Sequence, residues 1–220
     1  MKTLVLIPAY NEAEKIAEII KNIKAHGFDV LVVDDGSTDQ TAYISKISGA
    51  KVLSHRINRG QGAAILTGLE YAQNKNYEIV VFFDADGQMK TTEIKNIIEP
   101  LQNDNCDVVL GSRFLGEAQN MPLVKLLTLK LALIFTKITT GLKFSDTHNG
   151  FQAWKMSAID KINLTQDRQA YASELLQEIS EHKIKYQEIP VTINYTAYSK
   201  GKGQSIFNAF NIIFNLLIKK

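Results

Sequence analysis

Two acidic side chains, Asp84 and Asp86, follow a strand-like run, 78–83, that is rich in β-branched and aromatic residues. Such a run predicts a buried parallel strand, and open α/β sheets bind ligands at the carboxyl ends of their strands. Two carboxylates one residue apart repel each other unless a cation lies between them. Because Mg²⁺ is held by one or two carboxylates together with substrate phosphates, the pair indicates a divalent metal that carries a phosphate group. A solvated acidic turn is the alternative that the pair alone leaves open.

Polar residues also follow the first two predicted strands. The loop after the first strand contains Pro8, Tyr10 and Glu12. We expect Pro8 to fix the turn, Tyr10 to lie against a base and Glu12 to accept a hydrogen bond from a base or a ribose. After the second strand, either Asp34 or Asp35 is expected to bind a ligand hydroxyl or amide, and the other to cap a helix. An ordinary strand-to-helix loop remains the alternative for the first of these segments.

Basic and glycine-rich segments lie further along the chain. The segment 56–62 lacks the spacings of the Walker and dinucleotide-binding motifs, which argues against an ATPase or a dehydrogenase. Its Gly60 and Gly62 instead predict a close backbone approach at the start of a helix. Arg113 ends the fifth predicted strand, at the same sheet edge as the two acids, and its guanidinium is suited to bidentate phosphate binding.

Two segments of the second half carry further candidates. In 146–152, His148 would either complete a metal shell or make a local hydrogen bond. The segment 198–205 contains Lys200 and Lys202 among glycines, a composition typical of a flexible loop that closes on phosphate.

Apolar runs alternate with helical periodicity, a pattern that predicts repeated strand–helix units. Strands are predicted at 3–7, 30–33, 51–54, 78–83, 107–110, 150–154 and 184–192, with helices beginning near residues 12, 39, 60, 92, 122 and 172. We therefore expect a Rossmann-like α/β fold with a mostly parallel sheet, right-handed crossovers and helices on both faces. One folded domain is predicted over 1–204, followed by an apolar, amphipathic C-terminal helix over 205–220.

Two apolar helices bear on membrane contact. The predicted helix 122–140 contains three lysines, which argues against a membrane span; we interpret it as a core helix, with a position in a membrane interface as the alternative. The tail 206–218 has a polar stripe of three asparagines and is about 20 Å long as a helix, too short to cross a bilayer. We expect it to dock on the protein, on a partner or into one lipid leaflet.

Bulk properties add limits. The formal net charge is +2, but no acidic residue follows Glu188, so the C-terminal end is locally basic, as suits phosphate or an anionic membrane surface. The lone Cys106 excludes an internal disulfide and a cysteine-based metal cluster, and the run 3–7 is too short for a signal peptide. We predict a cytoplasmic protein, peripheral on the inner face of the membrane if it binds lipid, without a nucleic-acid partner.

Taken in order, these motifs resemble the family 2 glycosyltransferases with the GT-A fold. Among them, the dolichyl- or polyprenyl-phosphate sugar transferases are the most similar. The segments that carry the resemblance are 7–12, 32–39, 58–64, 83–88, 109–114, 149–153 and 188–191. The sequence departs from phosphodolichol-mannose synthases at Gln152, where they usually carry Arg, and at Lys200 and Lys202, which replace their usual C-terminal arginine. The resemblance therefore leaves the acceptor open.

The resemblance implies a nucleotide-diphosphate sugar as donor, bound mainly by the half 1–115, and an acceptor bound by the half 116–204. It implies Mg²⁺ or Mn²⁺ held by Asp84 and Asp86, and a phosphate of donor or acceptor at Arg113. The residues it implies around the donor are Pro8, Tyr10, Glu12, Asp35, Gly62, Asp84, Ala85 and Gln88, with His148 as a further substrate contact.

The reaction implied is displacement at the anomeric carbon with inversion, in cell-surface polysaccharide or glycolipid synthesis. A sugar-hydroxyl acceptor would require a general base, for which Asp146 and Glu174 are the candidates. A polyprenyl phosphate is already anionic and would require cations instead, supplied by Arg113, Lys200 and Lys202. The alternatives are a sugar-phosphate nucleotidyltransferase and a non-catalytic sugar-nucleotide-binding subunit of a membrane complex.

Overall fold

The computed structural model describes residues 1–147, 149–168 and 170–198. The strands in these ranges are β1 (Thr3–Ala9), β2 (Asp29–Asp34), β3 (Lys51–Ser54), β4 (Ile79–Phe82), β5 (Val108–Gln119), β6 (Gln152–Lys155) and β7 (Tyr186–Asn194). The helices are α1 (Ile16–Ala25), α2 (Thr41–Ile47), α3 (Gln61–Asn74), α4 (Ile94–Gln102), α5 (Leu123–Thr140), α6 (Met156–Ile159) and α7 (Tyr171–Glu181), with a 3₁₀ turn at Thr91–Glu93. The predicted C-terminal helix over 205–220 lies outside the described residues.

The described strands form one seven-stranded sheet in the order β3-β2-β1-β4-β6-β5-β7. Strands β1 to β4 are mutually parallel, and β5 is parallel to β7. β6 alone runs antiparallel, between β4 and β5. The prediction of a mostly parallel α/β sheet is therefore confirmed.

Helices cover both faces of the sheet, as predicted. On one face, α1 and α4 pack against the sheet through isoleucines spaced three and four residues apart, such as Ile16, Ile20 and Ile97. On the other face, α3 and α7 pack through residues that include Leu69 and Leu175. These two cores fix the carboxyl ends of β1, β2 and β4 next to one another.

β1 continues through Pro8 to Ala9, whereas the sequence predicted that the strand ends at Ile7. The backbone N–H of Asp35 donates to the carbonyl oxygen of Ala9, so Ala9 faces β2 and Pro8 faces the side of β4. Because the pairing of β1 with β4 ends at Leu6, the missing N–H of Pro8 interrupts no ladder.

β5 is longer than predicted, since it continues past Leu110 to Gln119. It pairs with β7 up to Ser112 and again from Glu117, with an irregularity between these residues. Arg113 therefore lies within the irregular part of a long strand and not at a strand end.

α5 is a helix as predicted, but the interpretation as a core helix is wrong for much of its surface. Only Leu129 and Thr136 of its residues are buried. The helix packs on α7, and Ser180 near the end of α7 donates a hydrogen bond to the carbonyl oxygen of Thr140. Among the described residues, no helix is long and apolar enough to cross a membrane.

Candidate active site

The acidic pair lies just beyond β4, near the centre of the sheet. Asp84 accepts a hydrogen bond of 3.0 Å from the side-chain amide of Gln61, the first residue of α3. Its carboxylate also packs on the backbone of Gly150, where an added Cβ would lie 2.5 Å from Oδ2. Asp86 accepts from the backbone N–H of Gln88 at 3.0 Å and borders a cavity of about 310 Å³. The site thus has open space beside one of its carboxylates.

The electrostatics of the pair indicate a site for a cation. Burial, reinforced by the negative charge of Asp86, raises the pKa of Asp84 to about 7, although Arg113 and Gln61 act in the opposite direction. Glu12 adds a smaller effect that also raises this pKa. A divalent cation bound between these carboxylates would offset their mutual repulsion and stabilise their charged forms.

The donor set fits a magnesium-type ion. Within the described residues, no group of three or more His, Cys, Asp or Glu side chains is arranged to hold a metal. Asp84 and Asp86 would therefore supply two oxygen ligands, with phosphate and water supplying the others. This division is the usual one for Mg²⁺ and suits Mn²⁺.

The loop after β1 is held against the loop after β2. The backbone N–H of Asn11 donates to Ser37, and that of Glu12 donates to Thr41 at 2.8 Å. Glu12 is buried, and its Oε2 accepts a hydrogen bond of 2.8 Å from the hydroxyl of Tyr198. Tyr10 is 45% exposed, so its ring is available to a ligand. Nucleoside binding by these residues stays a prediction.

Asp35 is buried and holds the segment that precedes α3. Its carboxylate accepts from the backbone N–H groups of Arg59 and Gly60, at 2.9 and 2.7 Å, and lies 2.7 Å from Nδ1 of His55. The other ring nitrogen of His55 lies 2.9 Å from the hydroxyl of Thr67. Asp35 therefore holds the segment before α3 in position. Its direct contact with a nucleoside stays a prediction.

Gly62 makes the close approach that the sequence predicts, but its partner is the chain itself. An added Cβ would lie 2.1 Å from the carbonyl oxygen of Gln166. The neighbouring Gly60 has a φ of 105° and caps α3, where a side chain would meet Asp167 and Arg168. Both glycines thus seat the start of α3 against the segment 166–168, while substrate contact by Gly62 stays a prediction.

Substituting Gly62 with alanine tests this seating. We expect Gly62→Ala to lower the free energy of unfolding by about 2 kcal/mol, because backbone atoms must move to admit the methyl group. Gly27→Ala is the control: its φ is 85° but an added Cβ would meet nothing within 4 Å, so a loss of about 1 kcal/mol is expected. Urea unfolding of both variants measures the difference. An unchanged stability for Gly62→Ala would contradict the close contact with Gln166.

Arg113 is buried and forms an ion pair with buried Asp146. Its backbone N–H and its Nε both donate to Oδ2 of Asp146, at 3.0 and 2.6 Å, and Nη1 donates to the hydroxyl of Tyr195. Burial alone would lower the pKa of the guanidinium, but the attraction of Asp146 and Tyr195 outweighs it and raises that pKa. Arg113 is thus a fixed positive charge that acts on Asp84.

Lys125, on the first turns of α5, is a second cation at this end of the site. Burial lowers the pKa of its ammonium, and the positive charge of Arg113 lowers it further, whereas Asp146 partly offsets both. The residues that the structure describes offer this ammonium neither a hydrogen bond nor an ion pair. Two cations close enough to repel each other form a place where an anion is stabilised.

Neither candidate general base is free to act as a strong base. The charge of Asp146 is compensated by Arg113. Glu174 accepts hydrogen bonds from the backbone N–H groups of Thr165 and Gln166 and from the hydroxyl of Thr165. Glu174 therefore holds a loop, whereas Asp146 positions Arg113.

Several predicted residues cannot be placed, and several contributing residues were missed. His148, Lys200 and Lys202 lie outside the described residues, so their roles stay predictions. The sequence marks Lys125 only as one of three lysines in a predicted helix, and our sequence analysis did not single out His55, which follows a strand. A polar residue directly after a strand is a signal that could have found His55.

The sheet order, the antiparallel β6 and the acidic pair after β4 define a GT-A fold. A solved structure of glucosyl-3-phosphoglycerate synthase from Mycobacterium tuberculosis, in complex with Mg²⁺ and uridine diphosphate, matches with a TM-score of 0.77. The match covers 98% of this chain and 78% of that chain at 19% sequence identity. At this identity the likeness shows the fold alone.

Sequence comparison identifies the family. The model of glycosyl transferase family 2 matches residues 4–162, so the chain belongs to this family and is a glycosyltransferase. A relative from Methanococcus voltae, the UDP-N-acetylglucosamine–dolichyl-phosphate N-acetylglucosaminyltransferase, is 34% identical over 98% of this chain and 94% of its own length. The polyprenol monophosphomannose synthase of Mycolicibacterium smegmatis is 29% identical over 94% of this chain and 84% of its own length.

Proposed function

We propose that the enzyme transfers a sugar, with inversion, from a nucleotide-diphosphate sugar to a polyprenyl phosphate. The observation that carries this proposal is the pair of neighbouring cations, Arg113 and Lys125, of which Arg113 also acts on the carboxylate of Asp84. The carboxylates suit a metal-bound donor diphosphate, and the cations suit an acceptor phosphate. Membership in the glycosyltransferases sets aside the nucleotidyltransferase and the non-catalytic subunit.

At the donor end, Asp84 and Asp86 would hold Mg²⁺ or Mn²⁺, which supplies charge neutralisation for the leaving diphosphate. Gln61 keeps the Asp84 carboxylate in place through its hydrogen bond. Tyr10 and Glu12 would bind the nucleoside, on a loop that is fixed by Ser37 and Thr41.

At the acceptor end, the chemistry favours a phosphate over a hydroxyl. A hydroxyl must lose a proton, but the two candidate bases, Asp146 and Glu174, are already engaged. A phosphate monoester is largely ionised at neutral pH, since its second pKa is about 6. It therefore needs positioning by cations and no base. Lys125 has no ion pair among the described residues and would contact the phosphate, while Arg113, held by Asp146, would add its positive charge nearby.

The proposed step moves one glycosyl group. An oxygen of the acceptor phosphate forms a bond to the anomeric carbon as the bond from that carbon to the donor diphosphate breaks. The nucleoside diphosphate departs with the electron pair, and no proton transfer is required. Two relatives support this acceptor class: one is a dolichyl-phosphate N-acetylglucosaminyltransferase, and the other is a polyprenol monophosphomannose synthase.

An acceptor panel tests the proposal. The purified protein is incubated with UDP-, GDP- and dTDP-sugars and Mn²⁺, together with a polyprenyl phosphate, the matching polyprenol or a glycan. We expect sugar transfer to the phosphate and none to the alcohol of identical chain length, because only the phosphate is recognised by Arg113 and Lys125. Transfer to the alcohol or to the glycan, with none to the phosphate, would overturn the assignment of the acceptor.

The cellular setting follows from such an acceptor. A lipid phosphate resides in a membrane, whereas nucleotide sugars are water-soluble, so the enzyme would work at the cytoplasmic face of the membrane. We place it in the synthesis of surface polysaccharides or glycolipids. Fractionation of cells, with the protein recovered partly in the membrane pellet and released by high salt, would support this location.

A further inference from the structure

An apolar surface lies on the outside of α5. Its side chains are between 51% exposed, for Val124, and 77% exposed, for Leu123 and Ile138. We call this surface the α5 apolar face; it consists of Leu123, Val124, Leu127, Leu131, Ile134 and Ile138. At roughly 100 Å² of exposed apolar area per side chain, it amounts to about 600 Å², at the upper end of what monomeric proteins expose. Steps of three and four residues make it one continuous stripe.

Positive charge borders this face. Lys130 is three residues after Leu127 and four before Ile134, and Lys137 lies one further heptad along the helix, so both lysines flank the stripe. Both are exposed. Between Glu117 and Asp146 the sequence contains four lysines and no acidic residue. An apolar stripe flanked by lysines is the pattern of helices that lie in the plane of an anionic membrane surface.

The same helix reaches the candidate active site from its other side. Lys125 lies next to Arg113 and Asp146, Leu129 is buried, and the helix packs on α7. α5 is about 27 Å long at 1.5 Å per residue. One side of the helix contacts the protein, and the other side contacts no other element of the described chain.

We infer that the α5 apolar face is the docking surface for an anionic lipid bilayer, with α5 lying in the interfacial plane. A second copy of this chain is a poorer occupant, because it would bring Lys130 and Lys137 against lysines. The C-terminal segment 199–220 is likewise basic and has no acidic residue, so its charge does not complement this surface. Membrane binding stands on the surface alone, whereas its purpose, delivery of a lipid phosphate to Arg113 and Lys125, rests on the function proposed above.

Vesicle flotation of the full chain tests the inference without any substrate. The probe is a vesicle of phosphatidylglycerol and phosphatidylcholine in about equal parts, compared with phosphatidylcholine alone. We expect the protein to float with the mixed vesicles and to be released as salt is raised. Replacing Leu127 and Leu131 with serine, or Lys130 and Lys137 with glutamate, is expected to weaken binding by about tenfold or more.

Matched controls separate the surface from general effects. Ile47 and Ile57, which are 64% and 71% exposed, are replaced with serine, and the exposed Lys21 and Lys95 with glutamate. These variants are expected to float like the unmodified protein, and thermal unfolding verifies that all variants are folded. If the unmodified protein fails to float, or if the α5 variants float as well as the controls, the inference is overturned.

A second readout keeps this inference apart from the proposed function. Transfer to a short-chain, water-soluble polyprenyl phosphate requires no membrane, so the α5 variants are expected to retain it. Loss of flotation in the α5 variants together with retained transfer supports both proposals. Flotation without transfer to any polyprenyl phosphate would overturn the proposed function and leave the docking surface standing.

Discussion

Replacing Asp84 with asparagine is expected to stop sugar transfer and, in the same protein, to stabilise the metal-free fold at neutral pH. The loss of activity should be about 1,000-fold or more, because the variant lacks one of the two ligands proposed for the metal that neutralises the leaving diphosphate. The gain in stability follows from burial and from the charge of Asp86, which raise the pKa of Asp84 to about 7. Asparagine has nearly the same shape and carries no charge.

The sign of the pH dependence is fixed by this shift. An ordinary aspartate has a pKa of 3.8, so between about pH 4 and 7 folded Asp84 retains a proton that the unfolded chain has released. The unmodified protein therefore loses stability as pH rises through this range, by about 2 to 4 kcal/mol at 1.36 kcal/mol per pKa unit. Asp84→Asn should escape this loss, so the two proteins should match near pH 4 and diverge by pH 8.

Thermal unfolding against pH, with and without Mn²⁺, measures both effects. The unmodified protein is expected to gain stability from the metal with a nucleoside diphosphate, and Asp84→Asn to gain little. Asp160→Asn serves as the control, since this exposed carboxylate lies away from the site. A variant that binds Mn²⁺ as the unmodified protein does, or that is less stable at pH 8, would contradict the assignment of Asp84.

The second large effect is expected at Lys125. Replacing it with methionine, a side chain of similar length without charge, should lower kcat/KM for the polyprenyl phosphate by roughly 10- to 100-fold, the value of a charge-assisted contact. The KM for the nucleotide sugar should stay within about twofold, because the charged groups that act on Lys125 are Arg113 and Asp146 and not residues of the loop after β1. Steady-state kinetics with a water-soluble acceptor, varying each substrate in turn, measures this difference.

Thermal unfolding and a control variant distinguish a binding role of Lys125 from a structural one. Burial disfavours its charge, so Lys125→Met should unfold at the same temperature as the unmodified protein or slightly higher. Lys143→Met, at an exposed lysine outside α5, is expected to leave both kinetic constants unchanged. An equal rise in KM for donor and acceptor, or no change at all, would show that Lys125 does not bind the acceptor phosphate.

The sequence predicted the sheet well because strands buried on both faces are continuous apolar runs. It did not predict the direction of β6, since neither composition nor periodicity distinguishes a parallel strand from an antiparallel one. It ended β1 before Pro8 because proline usually interrupts a strand, and only the pairing in three dimensions shows that the missing N–H faces no neighbour. Helix amphipathicity likewise failed for α5, where apolar residues occur on the exposed side.

The sequence predicted those site residues that follow apolar strand-like runs, and it missed those that lie elsewhere. Asp84, Asp86, Glu12 and Arg113 all follow predicted strands, so the sequence could group them, and in the structure the other three act on the charge of Asp84. Lys125 lies on a helix, 41 residues beyond Asp84, so nothing in its surroundings in the sequence marks it. Tyr195, which accepts a hydrogen bond from Arg113, is 82 residues away from it in the sequence, and no local pattern indicates this contact.

The antiparallel strand β6 separates the sheet into two groups of strands. On one side lie β1 to β4, with the loops that we propose to bind the donor. On the other side lie β5 and β7, together with helix α5, which we propose to bind the acceptor. The two parts share both hydrophobic cores, but within the sheet they are joined only through β6, so each set of loops extends from its own group of strands. On the function proposed above, the loops after β1 and β2 could therefore change with the sugar nucleotide while β5, β7 and α5 retain the same acceptor.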